Sequence, residues 1–315
     1  MASRRYESAL LATLTGLRER LVPERPLAWD DRLEGKTALV TGANRGLGRA
    51  IAVELAQRGA RLLLACRGDA SDALAEVGAR GEAVQVDLGD LRSIDRLAGQ
   101  LAERGVRLDV IVLNAGVVPN RARKTAQGLE VQLGVNYLAN VRLVDRLMSR
   151  ELLARGDRLP RIVAVSSESH RAPRAFELAR LGAYEVYGIG GVMRRYGESK
   201  LALTAWTQEL ARRLEGRAAV HAICPGAVAT GIAQEAPRWS RPLLDPTIRR
   251  LFAAPAVAAR PVAYLAGASA VEGKTGLYFH RWREKAPSEL ALDRAFASAL
   301  WDESARVLER MALRD

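Results

Sequence analysis

Cysteine and histidine are scarce in this chain of 315 residues, with two of the former and three of the latter. Cys66 and Cys224 each lie inside an apolar, strand-like run. That placement fits buried free thiols in a reducing compartment and gives no disulfide framework. His170, His221 and His280 have no partners at metal-ligand spacing, and no carboxylates cluster near the cysteines, so no metal is expected. No apolar run approaches the ~18 residues that a spanning helix needs. The first twenty residues are basic but lack a continuous apolar core and a small-residue cleavage site, so a signal peptide is not expected. The cytoplasm is the expected location. Lysine is also sparse: Lys36, Lys124, Lys200, Lys274 and Lys285 are the only five.

What is present describes a globular protein. Hydrophobic residues make up 49% and charged residues 27%, enough for a full core with ordinary solvation. The net charge of +12 comes from arginine spread over every helix-like segment. There is no basic block and no stripe interleaved with aromatics, so no nucleic-acid partner is expected.

Residues 1–34 read as a leader. Leu10, Leu11, Leu14, Leu17 and Leu21 recur at helical spacing over Tyr6 to Leu21, before Pro23 and Pro26 interrupt. This helix either packs on the domain, meets a partner or lies on a membrane surface. From Lys36 onward the chain alternates. Strands are predicted at Thr37–Val40, Arg61–Cys66, Glu82–Val86, Leu108–Leu113, Arg161–Val165 and Ala218–Cys224. Helices are predicted at Gly46–Arg58, Ala70–Val77, Leu91–Arg104, Leu129–Leu153 and Tyr196–Leu214. Near-continuous apolar strands between amphipathic helices predict a doubly wound, mostly parallel α/β sheet of Rossmann type, covered on both faces. A ligand then sits beyond the carboxyl ends of the strands. The expected division is a single catalytic domain over 35–286, with an insert at 168–195 and a lid at 231–253, followed by a helical tail over 287–315.

Two stretches carry chemistry. Tyr196 and Lys200, four residues apart, share one face of a helix. A phenol ordinarily has a pKa of about 10. An ammonium one turn away is expected to lower it, giving a group that donates and recovers a proton as a carbonyl and an alcohol interconvert. The other stretch is Thr41-Gly42-Ala43-Asn44-Arg45-Gly46-Leu47-Gly48, between the first strand and the first helix. Its glycines permit a tight turn and close approach to a pyrophosphate, and the helix terminus supplies free N–H groups.

Thr-Gly-x-x-x-Gly-x-Gly resembles the pattern of the short-chain dehydrogenase/reductase family. Further similar motifs follow in family order: Asp87-Leu88, Asn114-Ala115-Gly116, Asn136 within Gly134-Val135-Asn136-Tyr137, Ser166-Ser167, Tyr196 with Lys200, Pro225-Gly226, and Val228 and Thr230 just beyond. The resemblance spans roughly Lys36 to Leu313. It implies that Gly42, Asn44, Arg45, Gly46, Leu47 and Gly48 hold the dinucleotide phosphates. Asp87 and Leu88 would lie at the adenine, Asn114, Ala115 and Gly116 near the ribose, and Pro225, Gly226, Val228 and Thr230 beside the nicotinamide. It also implies Tyr196 as acid/base and Lys200 as the group that tunes it and holds the ribose. Ser167, more than Ser166, would bind the substrate oxygen, with Asn136 anchoring a proton-relaying water.

Strand two ends Ala65-Cys66-Arg67, with no acid at its tip. Arginine pairs bidentately with phosphate, so Arg67, with Arg45 in the glycine loop, favours NADP(H) over NAD, although Asp69 is close. The long segment between Ser167 and Tyr196 is similar to the retinol-dehydrogenase-like branch and to the dehydrogenase domain of the WW-domain oxidoreductase. Ser166-Ser167-Glu168-Ser169-His170-Arg171, Gly276-Leu277-Tyr278-Phe279, Pro287-Ser288 and Leu300-Trp301-Asp302-Glu303-Ser304 match that branch in order. The branch implies an apolar alcohol, aldehyde or ketone as substrate. Its pocket would be lined by the insert and by Trp239, Leu243, Leu244 and Ile248 of the lid. A homodimer built on the long helix and the Tyr196 helix is also implied. The alternative is a cofactor-binding scaffold or sensor without turnover, against which the complete set Asn136, Ser167, Tyr196 and Lys200 argues.

Overall fold

A computed structural model describes residue 27, residues 29–228 and residues 253–312, with the side chains of residues 189 and 190 left aside. The helix expected over Tyr6 to Leu21, Thr230 and the lid residues 231–252 lie outside the described residues.

The strands are β1 (Thr37–Thr41), β2 (Arg61–Cys66), β3 (Gly81–Gln85), β4 (Val110–Leu113), β5 (Arg161–Val165), β6 (Ala219–Cys224), β7 (Tyr278–His280) and β8 (Arg283–Glu284). They form one sheet in the order β3-β2-β1-β4-β5-β6-β7-β8. Every neighbouring pair is parallel except the β7–β8 hairpin at the edge. β4, β5 and β6 are buried at every residue, as a strand covered on both faces must be. The order reverses at β1, so β1 and β4 diverge into their helices on opposite sides and open a crevice at their carboxyl ends.

The helices α1 (Gly46–Gln57), α2 (Ser71–Val77) and α6 (Pro255–Gly267) belong to one face. Trp29 and Leu33 join them, with the Trp29 ring beneath the Arg58 guanidinium, 3.6 Å from its centroid. The other face carries α3 (Leu91–Glu103), α4 and α5 (Ile189–Arg213). α4 is composite: Val131–Leu133, a π-helical turn at Gly134–Leu138, then Ala139–Ser149. The tail adds α7 (Glu289–Leu292) and α8 (Arg294–Ala312), which packs on α5. Trp301 stacks on Trp206 at 6.5 Å, and Ser304 Oγ lies 2.7 Å from the Tyr137 hydroxyl.

Several boundaries differ from the sequence expectation. α4 is shorter than residues 129–153, because Glu130 caps its start and the chain turns at Arg150. α5 begins at Ile189, so Tyr196 is two turns inside the helix rather than at its entrance. β4 starts at Val110, with Leu108 kept only as an isolated bridge to Leu153. α6 was not anticipated: Pro255 suits its first turn, but Pro261 lies inside it, where a missing N–H ordinarily argues against a helix.

Candidate active site

The crevice begins where β1 enters the glycine loop. Gly42 has φ +67°, and its N–H donates to Ala65 O at 2.7 Å. A Cβ on Gly48 would lie 2.2 Å from Gly42 O and 2.5 Å from Asn114 Nδ2, so only glycine fits there. Thr41 Oγ1 accepts the N–H groups of Asn114 and Ala115, each at 3.0 Å, and Asn114 Nδ2 donates to Thr41 O at 2.9 Å. The carboxyl ends of β1 and β4 are thereby locked together. Arg45 is extended at the entrance of α1, Gly46 opens the helix with φ +56°, and Leu47 is buried beneath it. Asn44 Nδ2 donates to Asp69 O across to the end of β2.

The polar groups beyond β2 and β3 divide their work. Asp69 Oδ1 accepts both the N–H and the hydroxyl of Ser71, which turns this acid toward α2 and lowers its pKa. Arg67 is exposed, its side chain 77% accessible, with a guanidinium nitrogen 3.5 Å from Asp87 Oδ2. Asp87 Oδ1 accepts from Gly89 N–H at 2.8 Å, and Leu88 is buried in the core.

The second half of the site lies at the ends of β4, β5 and β6. Asn136 is fully buried on the π-helical turn. Its amide makes a reciprocal pair with the backbone of Val117, donating to Val117 O at 3.0 Å and accepting from Val117 N at 2.7 Å. It also donates to Ser199 Oγ at 3.1 Å. Such π turns recur at functional positions because the extra residue re-aims side chains. Lys200 is 4% exposed and donates from Nζ to Val165 O at 2.8 Å. A Cβ on Gly116 would stand 3.8 Å from that ammonium and 3.3 Å from Asn136 Oδ1. Asn136, Gly116 and Lys200 therefore converge, though Asn136 bonds Val117 and Ser199 among the described partners.

Ser166 and Ser167 point different ways. Ser166 Oγ is buried 2.7 Å from Thr204 Oγ1, on α5. Ser167 Oγ donates to Ser169 Oγ at 3.2 Å and accepts from Ser169 N–H at 3.2 Å. It also acts on Tyr196: burial pushes the phenol up to about 12, and the hydrogen-bonding Ser167 hydroxyl pulls the other way. The expected lowering by Lys200 does not govern. The ammonium lies 5.7 Å from the phenol ring centroid, aimed at a carbonyl, and burial of both groups dominates. The same burial brings Lys200 down to about 8. At neutral pH the phenol holds its proton and the lysine is mostly charged. The Cys224 thiol, at the end of β6, is close enough to influence both.

Pro225 and Gly226 follow β6. Gly226 has φ +85°, and Val228 is buried in a bridge with Ala253.

Two clusters were not anticipated. Glu130, fully buried, accepts from the N–H groups of Gln132 and Leu133 and from the Tyr187 hydroxyl at 2.5 Å. That contact ties the insert to α4 across the crevice side of the sheet. Glu168, directly after Ser167, accepts from Tyr278 Oη at 2.8 Å, Lys285 Nζ at 3.0 Å and Arg171 Nε at 3.2 Å. The nearby cations hold its carboxyl at about 2 against the opposing effect of burial. Neither cluster has a local sequence signal, because the partners lie 57 and more than 100 residues away. Among the described residues no group of three His, Cys, Asp or Glu could hold a metal ion. Among the same residues no helix is long and apolar enough to cross a membrane.

Comparison with known proteins identifies the family. The family model described as enoyl-(acyl carrier protein) reductase matches residues 42–275. Mouse retinol dehydrogenase 13 is 35% identical over 294 residues, covering 88% of this chain and 84% of its own length. An uncharacterized protein of Mycobacterium paratuberculosis superposes with a TM-score of 0.71 at 27% identity, over 91% of this chain and 98% of its own. A short-chain dehydrogenase of Shigella flexneri, solved in complex with NADP, superposes with a TM-score of 0.62 at 25% identity, over 81% and 100%. The chain is a member of the short-chain dehydrogenase/reductase family of oxidoreductases, related to the retinol dehydrogenases.

Proposed function

We propose that this protein moves a hydride between NADP(H) and an apolar aldehyde, ketone or alcohol, with Tyr196 as the general acid and base. The observation that carries the proposal is the convergence of Tyr196, hydrogen-bonded by Ser167, with Lys200 one turn on, beside the glycine-lined crevice.

The crevice fits a dinucleotide. The space left by the missing Cβ of Gly48, the free N–H groups at the start of α1 and the exposed guanidinium of Arg67 form a surface for phosphates. Asp69, the residue that would favour a ribose 2′-hydroxyl, is engaged with Ser71. This supports NADP(H) over NAD(H). Bound there, the nicotinamide would supply the hydride.

The chain's own residues then handle the proton and the developing charge. In reduction, negative charge grows on the carbonyl oxygen. The hydroxyls of Ser167 and Tyr196 donate to that oxygen, and the half-buried phenol passes its proton to it. In oxidation the phenolate takes the alcohol proton. The Lys200 ammonium supports the phenolate form electrostatically in both directions. Asn136 holds the loop after β4 by its pair with Val117 and so fixes one wall of the site.

Support for an apolar substrate is twofold. The relative described above is a retinol dehydrogenase. Apolar Val117, Val118, Val186 and Met193 are exposed on the loop after β4 and on the insert.

The test is NADPH and NADH oxidation by the purified protein across a panel of apolar aldehydes and ketones. Turnover with NADPH, and less with NADH, is expected. Tight NADPH binding without turnover on any member would favour the scaffold reading instead.

A further inference from the structure

A buried imidazole is one of the groups that bind the segment following β5 to the tail. His170 is fully buried on the 3-10 turn Glu168–Arg171, three residues after Ser167. Its Nδ1 lies 2.7 Å from Ser167 O, and its Nε2 lies 3.0 Å from the backbone nitrogen of Ser288. A carbonyl can only accept and a backbone N–H can only donate. Both contacts therefore hold together only when Nδ1 carries the hydrogen and Nε2 presents its lone pair. Neither the other tautomer nor the imidazolium satisfies both.

Ser288 is the cap of α7, its Oγ accepting from Ala291 N–H. The same stretch of tail is fastened at two other points. Arg171 Nη2 donates to Ala286 O at 2.5 Å, and Lys285 Nζ donates to Glu168 at 3.0 Å. Tyr278 Oη, bonded to Glu168, stands 3.4 Å from His170 Nδ1. The loop carrying Ser167 is thus enclosed by β7 and by residues 285–288, and His170 is the side chain that touches both the Ser167 backbone and the tail. Burial keeps the imidazole neutral, at about 4, as the bonding pattern requires.

We propose that His170 is a positioning residue that sets Ser167, through its carbonyl, and with its other ring nitrogen holds the tail at Ser288. This rests on the role given above to Ser167. The consequence is that the two ring nitrogens have separable functions. Nδ1–H aims Ser167, and Nε2 holds the tail.

Two conservative variants divide them. In His170→Asn, the amide N–H₂ can stand where Nδ1–H donates, but nothing reaches Ser288. In His170→Gln, the amide oxygen can reach Ser288 while Ser167 O loses the shorter, 2.7 Å side-chain contact and keeps only the backbone N–H of residue 170 at 3.0 Å. The full-length protein is used throughout, with NADPH affinity and thermal midpoint measured beside turnover. His170→Gln should lose kcat by roughly tenfold or more, with unchanged NADPH affinity, because a small displacement of a hydrogen-bond donor is expensive in the transition state. His170→Asn should keep most of kcat yet exchange the Ser288 amide hydrogen faster. If both variants lose kcat equally and in proportion to their thermal midpoints, the proposal is overturned. A second readout needs no activity: long-range ¹H–¹⁵N correlation of the parent should show His170 protonated at Nδ1 alone. An Nε2–H tautomer would refute the arrangement. If the parent turns over no carbonyl, the catalytic reading fails, and the tautomer and Ser288 exchange still decide whether His170 couples loop and tail.

Discussion

The two ends of the crevice are built differently. At the cofactor end each of the framing hydrogen bonds has a backbone partner: Gly42 N–H to Ala65 O, and the Asn114 and Ala115 N–H groups to the Thr41 hydroxyl, with a gap at Gly48 that no side chain can enter. The insert end is held by side-chain pairs, one of them across 57 residues and the rest within 185–198. Tyr187 reaches Glu130, Arg195 lies against Glu185 and Glu198, and Arg194 pairs with the same two acids. A backbone frame suits a ligand whose phosphates are constant. A side-chain frame can be rebuilt residue by residue, which would suit the substrate side of the site proposed above. The contrast predicts that damage at the first end disturbs binding of the dinucleotide, whereas damage at the second leaves that binding intact.

The most severe break is Gly48→Ala. Its new methyl would overlap Gly42 O and the Asn114 amide, both fixed. NADPH binding, followed by fluorescence titration, should weaken by about 100-fold or more. Unchanged affinity would mean that the loop is far softer than its bonding indicates.

The sheet beneath both ends offers a pH test. His221, on β6, is fully buried with neither ring nitrogen hydrogen-bonded, and burial first, then the charge of Arg161, brings its pKa to about 3. The unfolded chain takes up a proton near the ordinary value of about 6.5, while the folded chain does not. Stability is therefore full above that value and drains as pH falls toward about 3. His221→Leu should remove about 3 kcal/mol of the stability lost between pH 7 and pH 4, measured by denaturant unfolding at each pH. Parallel curves for parent and variant would contradict this.

At the insert end, Glu130→Ala leaves two backbone N–H groups and the Tyr187 hydroxyl without their acceptor. It should destabilise the fold by about 2–3 kcal/mol and speed proteolysis within 183–195, with NADPH affinity intact. Tyr187→Phe, which keeps the helix cap, should reproduce the proteolysis at about 1 kcal/mol. A fall in NADPH affinity in either variant would erase the contrast between the ends.

A smaller effect tests the outer rim of the cofactor end. Arg67→Ala should weaken NADPH by about tenfold and leave NADH nearly unchanged, because an exposed guanidinium contributes mainly by pairing with a phosphate. Equal losses for both cofactors would place the selectivity elsewhere.

The same division governs what could be read without coordinates. β1, β2, β4, β5 and β6 are apolar runs buried on both faces, and the glycine loop and Tyr196–Lys200 are local patterns, so all were legible. β7 has three residues, too few for a periodic signal, and α6 was obscured by Pro261. The π turn around Asn136 has no compositional mark that sets Gly134–Leu138 apart from a short stretch of α-helix. The Glu130–Tyr187 and Glu168–Tyr278 contacts depend on tertiary distance. The direction of the Tyr196 shift failed for a related reason. Spacing shows that a lysine is near, but only the fold shows how deeply both groups are buried, and burial outweighs the charge.

Proton donation by the Tyr196 hydroxyl is the central step of the proposed reaction. It is tested most directly by kcat/KM for NADPH-dependent carbonyl reduction in Tyr196→Phe, with NADPH affinity measured on the same sample. Loss of about 10³-fold in kcat/KM with cofactor affinity retained is the predicted result. Parental kcat/KM in the phenylalanine variant would contradict it.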